Sequence, residues 1–186
     1  DQTLRPELTM LAAILVTVPT EELVVADDVT LRDIGPGDVR VKIAHSGVCH
    51  SDLSVMNGTI PQEPPAVRGH EGAGVVVDVG DGVTHVVPGD HVIIAFSPPC
   101  GTCPFCTGRP QPNLCMTGLV SMSTNMQFRQ GARVVGSMTG CGTFAEETIV
   151  PGIAAIKIDN DVPLDVAALI GCGVTTGVGA ALNTAQ

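Results

Sequence analysis

The sequence predicts a mainly β fold with a few helices, built as a small, partly open β-barrel that carries a cysteine-rich lobe. Three observations carry this prediction. With 22 glycines and 14 prolines in 186 residues, turns come too often for a helical bundle and bound many short strands instead. The chain has no Trp or Tyr and four Phe, so its apolar 44% must pack as a core of Val, Ala, Ile and Leu. Finally, Cys100, Cys103, Cys106 and Cys115 crowd into sixteen residues, which sets the middle of the chain apart.

Leu11–Val16 and residues 23–26 read as opening strands. Gly35-Pro36-Gly37-Asp38 is a turn, and Val39–Ile43 alternates apolar and charged residues as a half-buried strand does. Gly72–Val79 is a glycine- and valine-rich strand closed by Gly80-Asp81-Gly82, and Pro88-Gly89-Asp90 turns the chain into His91–Phe96. Residues 97–136 hold the cysteines and then a polar stretch, Ser121 to Arg133, with little periodicity. A loop of that length needs something to fix it, and a bound metal would serve. Strand character returns at Thr143–Val150 and Ala155–Ile158. A helix starts at Pro163-Leu164-Asp165 with Asp161 as its cap, and residues 173–186 form a second.

Net charge is −10 with only nine Lys and Arg. No basic stripe exists, which argues against a protein that grips a phosphate backbone. The longest apolar runs, such as Leu11 to Val16, fall far short of the ~20 residues a membrane span requires, so no membrane partner is expected. The chain begins at Asp1 without the basic region of a secretory leader, which reads as a trimmed end with Met10 as a natural start. The length gives room for one domain and a piece of a second.

Seven cysteines leave one thiol over in any disulfide scheme, whereas metal thiolates in a reducing cytoplasm need no oxidising compartment. Cys100, Cys103, Cys106 and Cys115 give C-x2-C-x2-C-x8-C. Four thiolates about 2.3 Å from one ion form a closed, tetrahedral, structural zinc site, and two-residue spacers let a tight turn aim successive sulfurs at one point. An iron–sulfur cluster is the rival, but bacterial cluster motifs use a shorter last spacer and a following proline; Met116 stands there. Buried free thiols are the plain alternative.

Further ligand types sit among glycines in three segments: Gly47-Val48-Cys49-His50-Ser51-Asp52, Gly69-His70-Glu71-Gly72-Ala73-Gly74 and Gly171-Cys172-Gly173-Val174-Thr175-Thr176-Gly177. Singly they are weak. A lone Cys near glycine is usually a small core residue, and a lone His is usually hydrogen-bonded. In order along the chain, with the four-Cys lobe and Gly142-Thr143-Phe144-Ala145-Glu146 between them, they resemble the zinc-dependent medium-chain alcohol dehydrogenases. The likeness runs from about residue 11 to 186, and the long stretch from Cys115 to Gly142 resembles the liver-type and formaldehyde-oxidising branches.

That resemblance implies a GroES-like barrel with a structural-zinc lobe at 97–116, and it implies a role for each matching residue. Cys49, His70 and Cys172 would bind a catalytic zinc, leaving a fourth position open for substrate, as catalytic zinc sites do. Ser51 would take the alcohol's proton, Asp52 would orient the histidine ligand, and Glu71 would stand behind the zinc. His50 would lie by the cofactor pyrophosphate, Thr176 by the nicotinamide, and Phe96 and Met138 in the substrate wall. The implied reaction is oxidation of an alcohol, a thiol adduct of formaldehyde included, with hydride passing from a zinc-bound alkoxide to NAD or NADP. The implied complement is two zinc ions per chain, a small alcohol or aldehyde as partner, and a homo-oligomer in the cytoplasm.

The match departs at three points. Ser54 stands three residues after Ser51, where many relatives carry a histidine that relays the proton. The last cysteine spacer is one residue longer than usual, and the loop Gly108 to Asn113 can absorb it. No G-x-G-x-x-G follows a strand, so the expected division is an N-terminal extension 1–10, a catalytic domain 11–166, and a segment 167–186 leading to a dinucleotide-binding half that the stretch lacks. Such a stretch is expected to bind zinc without turning over alcohol. Cys141, with no metal partner nearby, reads as a buried thiol. Two other classes stay open: a chaperonin-10-like structural module, against which the three scattered ligands speak, and a zinc hydrolase or lyase, which would prefer histidine- or carboxylate-rich ligation.

Overall fold

Two sheets divide the strands of this chain, seen in a computed structural model that describes residues 9–108 and 111–185. Most of the expected N-terminal extension and part of the Gly108–Asn113 loop lie outside those residues. The first sheet closes on itself as a barrel in the order β1 (Met10–Leu15), β2 (Val24–Leu31), β7 (Phe128–Gln130), β8 (Arg133–Ser137), β4 (Ala66–Val67). The second has the order β10 (Ala155–Lys157), β6 (His91–Ile94), β5 (Glu71–Val79), β3 (Asp38–Gly47), β9 (Glu147–Pro151) and is antiparallel throughout. Backbone bonds from Ala13 to Phe144 and from Phe144 to Arg68 stitch the two together.

Both interiors are aliphatic, as the composition requires. Ile14, Val29, Val67 and Val135 fill the barrel around Phe128, and Val39, Val41, Val92, Ile94 and Val150 pack the second sheet. β1 shows why a strand forms at its position: Met10, Ala12 and Ile14 point inward while Leu11 is exposed, the alternation that buries one face of a pleated strand.

The expected polar loop at 121–133 is instead structured. Helix α3 (Met116–Thr124) runs into β7 and β8. Composition misleads here because the polar side chains are satisfied internally. The amide of the fully buried Gln127 donates to the carbonyls of Gly140 and Cys141 and to Thr148 Oγ1, and Arg129 Nη1 donates to the carbonyls of Met126 and Phe128. The predicted strand 143–150 starts only at Glu147, with Ala145 contributing an isolated bridge to Ala12.

Further helices are α1 (His50–Met56), α2 (Pro104–Thr107), α4 (Leu164–Ala168) and α5 (Gly173–Asn183). The cap of α4 is Pro163 rather than Asp161. Pro163 holds an extended conformation and its carbonyl accepts the Ala167 N–H, a place Asp161 is two residues too early to take. Ala167 and Ala168 pack on Ala73 of β5, which brings the following Cys172 back to the sheet. Among the described residues no single helix is long and apolar enough to cross a membrane.

Phe128 is the large ring at the barrel centre and is wholly buried. Phe128→Ala is expected to cost about 3–5 kcal/mol, read as a lower urea midpoint with an unchanged slope.

Candidate metal centres

The four clustered cysteines converge. Sγ–Sγ distances are 3.5 Å for Cys103–Cys106, 3.8 Å for Cys103–Cys115 and 4.0 Å for Cys100–Cys106. A tetrahedron with metal–sulfur bonds of about 2.3 Å has edges of about 3.8 Å, so the sulfurs stand at zinc spacing and well outside disulfide reach. Backbone amides tune the set. Cys103 N–H donates to Cys100 Sγ, and Cys100 and Gly118 N–H donate to Cys115 Sγ, at 3.2–3.3 Å. The Thr102 hydroxyl and amides hold the Cys100 thiol down at about 5, so it is a thiolate at neutral pH, whereas desolvation and neighbouring thiols push Cys106 up to about 11. The longer last spacer is accommodated, since Cys115, at the cap of α3, joins the other three.

A second group forms from three separate elements. Cys49 caps α1 after β3, His70 and Glu71 stand at the start of β5, and Cys172 caps α5. One ligand atom from each of these four residues lies within 4.8 Å of the others. The flanking glycines are steric requirements. A Cβ on Gly47 would come 2.2 Å from Glu71 Oε2, and Gly69 has φ +88° with Phe144 2.5 Å from where a Cβ would stand, a conformation only glycine adopts freely. Glu71 is buried and accepts the Gly173 N–H at 3.2 Å, tying β5 to α5. Burial and the charges of Cys49 and Glu71 push the Cys172 thiol up to about 12. Burial also raises Cys49, but hydrogen bonds from Ser51 and His70 outweigh it and leave that thiol lowered.

Asp52 organises this end of the molecule. Its Oδ2 accepts the Cys49 N–H at 3.0 Å and lies 3.8 Å from His70 Nδ1. The second distance is an ion-pair separation, longer than the hydrogen bond expected between this carboxylate and the imidazole. On its other side stands Arg68, which the sequence reading did not single out. Arg68 is completely buried; its Nη2 donates to the Asp52 carbonyl at 3.0 Å and to Oδ1 at 3.4 Å, and its Nη1 donates to Gln62 Oε1 at 3.2 Å. Burial alone would raise the Asp52 pKa, but His70, the Cys49 amide and Arg68 together hold it below its ordinary value. A charged residue two places before a histidine in a β context reads as a surface residue, and no sequence pattern marks it as buried.

A cavity of about 600 Å³ opens beside the second group. Ser51, His70 and Cys172 line it together with Val55, Phe96 and Met138. Ser51 and Val55 are four apart on α1 and so share one face. The short helix α1 was not foreseen, because seven residues are too few to show a helical period. The Cys49 thiol lies 3.6 Å from Ser51 Oγ, and the Phe96 ring meets His70 edge-on at 5.7 Å between centroids. His50 and Thr176 are exposed and do not line the cavity; His50 Nδ1 is 3.2 Å from Ser54 Oγ. Cys141 is a buried thiol pushed up to about 11 by burial, outside both metal groups.

A barrel beside an antiparallel sheet, with a four-thiol lobe and a Cys-His-Cys group at an apolar cavity, matches known proteins closely. Residues 35–160 fit the family model described as the alcohol dehydrogenase GroES-like domain, and the chain belongs to that family. It is 45% identical over 165 residues to an S-(hydroxymethyl)glutathione dehydrogenase of Photobacterium damsela subsp. piscicida, covering 83% of this chain and 44% of that protein. An alcohol dehydrogenase zinc-binding domain protein from Burkholderia ambifaria superposes with a TM-score of 0.85 at 29% identity, over 94% of this chain and 48% of the other. Benzyl alcohol dehydrogenase from Acinetobacter calcoaceticus gives 0.79 at 29% identity over the same shares. The chain therefore spans less than half the length of these relatives.

Arg68→Met strips Asp52 of its buried partner and is expected to destabilise the fold by about 3–5 kcal/mol, whereas removing both charges in Arg68→Met/Asp52→Asn recovers much of the loss. A double-mutant cycle by denaturant unfolding measures both, and additive losses would show that the pair is not coupled.

Proposed function

We propose that this chain is the zinc-binding catalytic half of an NAD(P)-dependent alcohol dehydrogenase. The observation that carries it is the meeting of Cys49, His70 and Cys172, from three distant segments, beside an apolar cavity that His70 and Cys172 line. Two thiols and an imidazole suit zinc, and three ligands leave a position facing the cavity. The four-thiol lobe fits a second, structural zinc.

When bound, the catalytic zinc polarises the alcohol oxygen and the nicotinamide accepts the hydride. An alcohol becomes an aldehyde by losing one proton and one hydride, and the chain's own residues handle the proton. Ser51 Oγ, between Cys49 and the cavity, both accepts and donates and is placed to receive it. Without a histidine at position 54, the proton leaves toward solvent by the exposed end of α1, where Ser54 Oγ and His50 Nδ1 are in contact. Asp52, clamped by Arg68, keeps a negative charge beside His70 and sets the ring's orientation, which leaves Nε2 for the metal. Phe96 and Met138 shield the reacting atoms from water. Glu71 stands behind the metal group, and Thr176, on the first turns of α5, belongs to the nicotinamide side, with His50 on the pyrophosphate side.

The same reading divides the chain into an extension 1–10, a catalytic domain 11–166 and a segment 167–186 that leads into the dinucleotide-binding half. It also takes a small-molecule alcohol or aldehyde as substrate, a homo-oligomer as the working form, and the cytoplasm as the compartment that keeps seven free thiols reduced.

Metal analysis tests this. Two zinc ions per chain are expected, one lost in Cys49→Ala and the other in Cys106→Ser; an unaltered chain that holds only one zinc, and keeps it in Cys49→Ala, would remove the catalytic site from the reading.

Loading is expected to release protons. Cys172, pushed up to about 12, and Cys106, pushed up to about 11, are thiols in the metal-free chain at neutral pH and must deprotonate to bind. Each site's apparent affinity therefore falls about tenfold or more for each pH unit lower, measurable by chelator competition.

A further inference from the structure

Among the described residues, Thr139 is the one position other than glycine with a positive φ, at +51° with ψ 23°. That left-handed region disfavours a β-branched side chain. Two side-chain amides just before β7 fix the turn. Asn125 Nδ2 donates to the Gly140 carbonyl at 2.7 Å, and the buried Gln127 amide donates to the Gly140 and Cys141 carbonyls at 3.1 and 3.2 Å. Strain that neighbours over-determine in this way gathers at functional sites, and Thr139 lines the cavity beside the Cys-His-Cys group.

The other polar side chains of that wall are engaged. His70 and Cys172 belong to the metal group, and Ser51 Oγ is 3.6 Å from the Cys49 thiol. Gln62 accepts from Arg68 and donates to the Ser137 carbonyl at 3.3 Å. The Ser137 hydroxyl stands 3.0 Å from both the Asn125 carbonyl and Gln127 Oε1, and Glu63 is exposed to water. Thr139 differs: its hydroxyl oxygen is buried with no hydrogen-bond partner, which costs free energy until a partner is supplied.

Thr139 also borders a separate void of about 10 Å³ with Asn125, Val150 and Ala154. That is the lower limit for one water. The Asn125 amide there already donates to the Gly140 and Ile149 carbonyls, so a water would find few partners. The cavity, at about 600 Å³, has room for a ligand. Rotation about the Thr139 Cα–Cβ bond exchanges hydroxyl and methyl between staggered positions, and so turns the oxygen toward a polar group held in the cavity.

We propose that Thr139 is a specificity-determining residue, and that its hydroxyl pairs with a second hydroxyl on the body of the substrate, apart from the carbinol that is oxidised. The substrate class is then a diol. Each hydroxyl both donates and accepts, so the two can pair in either sense. A hydrocarbon alcohol of the same length leaves Thr139 unpaired, and a site built around such a bond discriminates against the analogue lacking it. The inference rests on the alcohol dehydrogenase reading and adds the substrate class to it.

The test uses the complete, zinc-loaded dehydrogenase and compares 1,4-butanediol, 1,5-pentanediol and 1,6-hexanediol with 1-butanol, 1-pentanol and 1-hexanol. At the length that fits best, the diol-to-alcohol ratio of kcat/KM is expected to fall about tenfold in Thr139→Val, which keeps the shape and removes the hydroxyl. Thr139→Ser, which keeps the hydroxyl, is expected to hold the ratio. Thr139→Val is also expected to raise the thermal midpoint of the enzyme without substrate, because a buried unpaired hydroxyl is gone. A ratio unmoved in Thr139→Val at all three lengths overturns the inference and leaves the dehydrogenase reading intact. So does a ratio that falls equally in Thr139→Ser, since shape and not the hydroxyl would then decide it. Oxidation of none of the six, with both sites holding zinc, overturns the dehydrogenase reading and the inference with it.

Discussion

The reactive end of this protein depends on one buried carboxylate, Asp52. It sits in the first turn of α1, where the helix dipole favours a negative charge, and it touches three groups from three places. Its Oδ2 accepts the Cys49 amide at 3.0 Å where the chain leaves β3 and lies 3.8 Å from His70 Nδ1, and Arg68 compensates the charge from the strand end next to β4. Arg68, next to β4, thereby ties the barrel to the second sheet, from whose neighbourhood Cys49, His70 and Cys172 come. A buried charge of this kind costs stability unless it is paired, so Arg68 is as much a part of the site as the ligands.

The two metal groups differ in how much of the fold they need. The lobe cysteines are brought together by local turns. Cys103 caps α2, Cys115 caps α3, and amides within the same segment bond to the sulfurs. The second group draws on residues 49, 70 and 172, and its geometry exists only once β3, β5 and α4 have packed. Closed and local geometry suits a structural ion. A site spread over the whole domain and open to a cavity suits an ion that must exchange a ligand.

The cavity reflects the same economy. Ser51 and Val55 belong to α1, Phe96 follows β6, and Met138 follows β8, so reactive and apolar surfaces come from elements already positioned by core packing. No Lys or Arg among the described residues lines the cavity.

Much of this was legible in the residues. The apolar run of β1, the alternation along β3, the glycine corners, the C-x2-C-x2-C-x8-C run and the residue types at Cys49, His70 and Cys172 are local patterns, and local patterns survive in a linear string. The elements that sequence missed have other causes. β7 and β8 hide because Gln127 and Arg129 look like loop residues until their polar atoms are seen bonded inside, and α1 hides because seven residues are too few to show a period. The residues alone determined the chemistry available: thiols in a tight cluster, glycines where side chains could not fit, an aliphatic core and a scarcity of cations. Tertiary structure alone decided the pairing of Arg68 with Asp52, the 3.8 Å separation of Asp52 and His70, and the cavity that His70 and Cys172 share with Val55, Phe96 and Met138. Those depend on contacts between segments far apart in the chain, and such contacts leave no periodic or spacing signal behind.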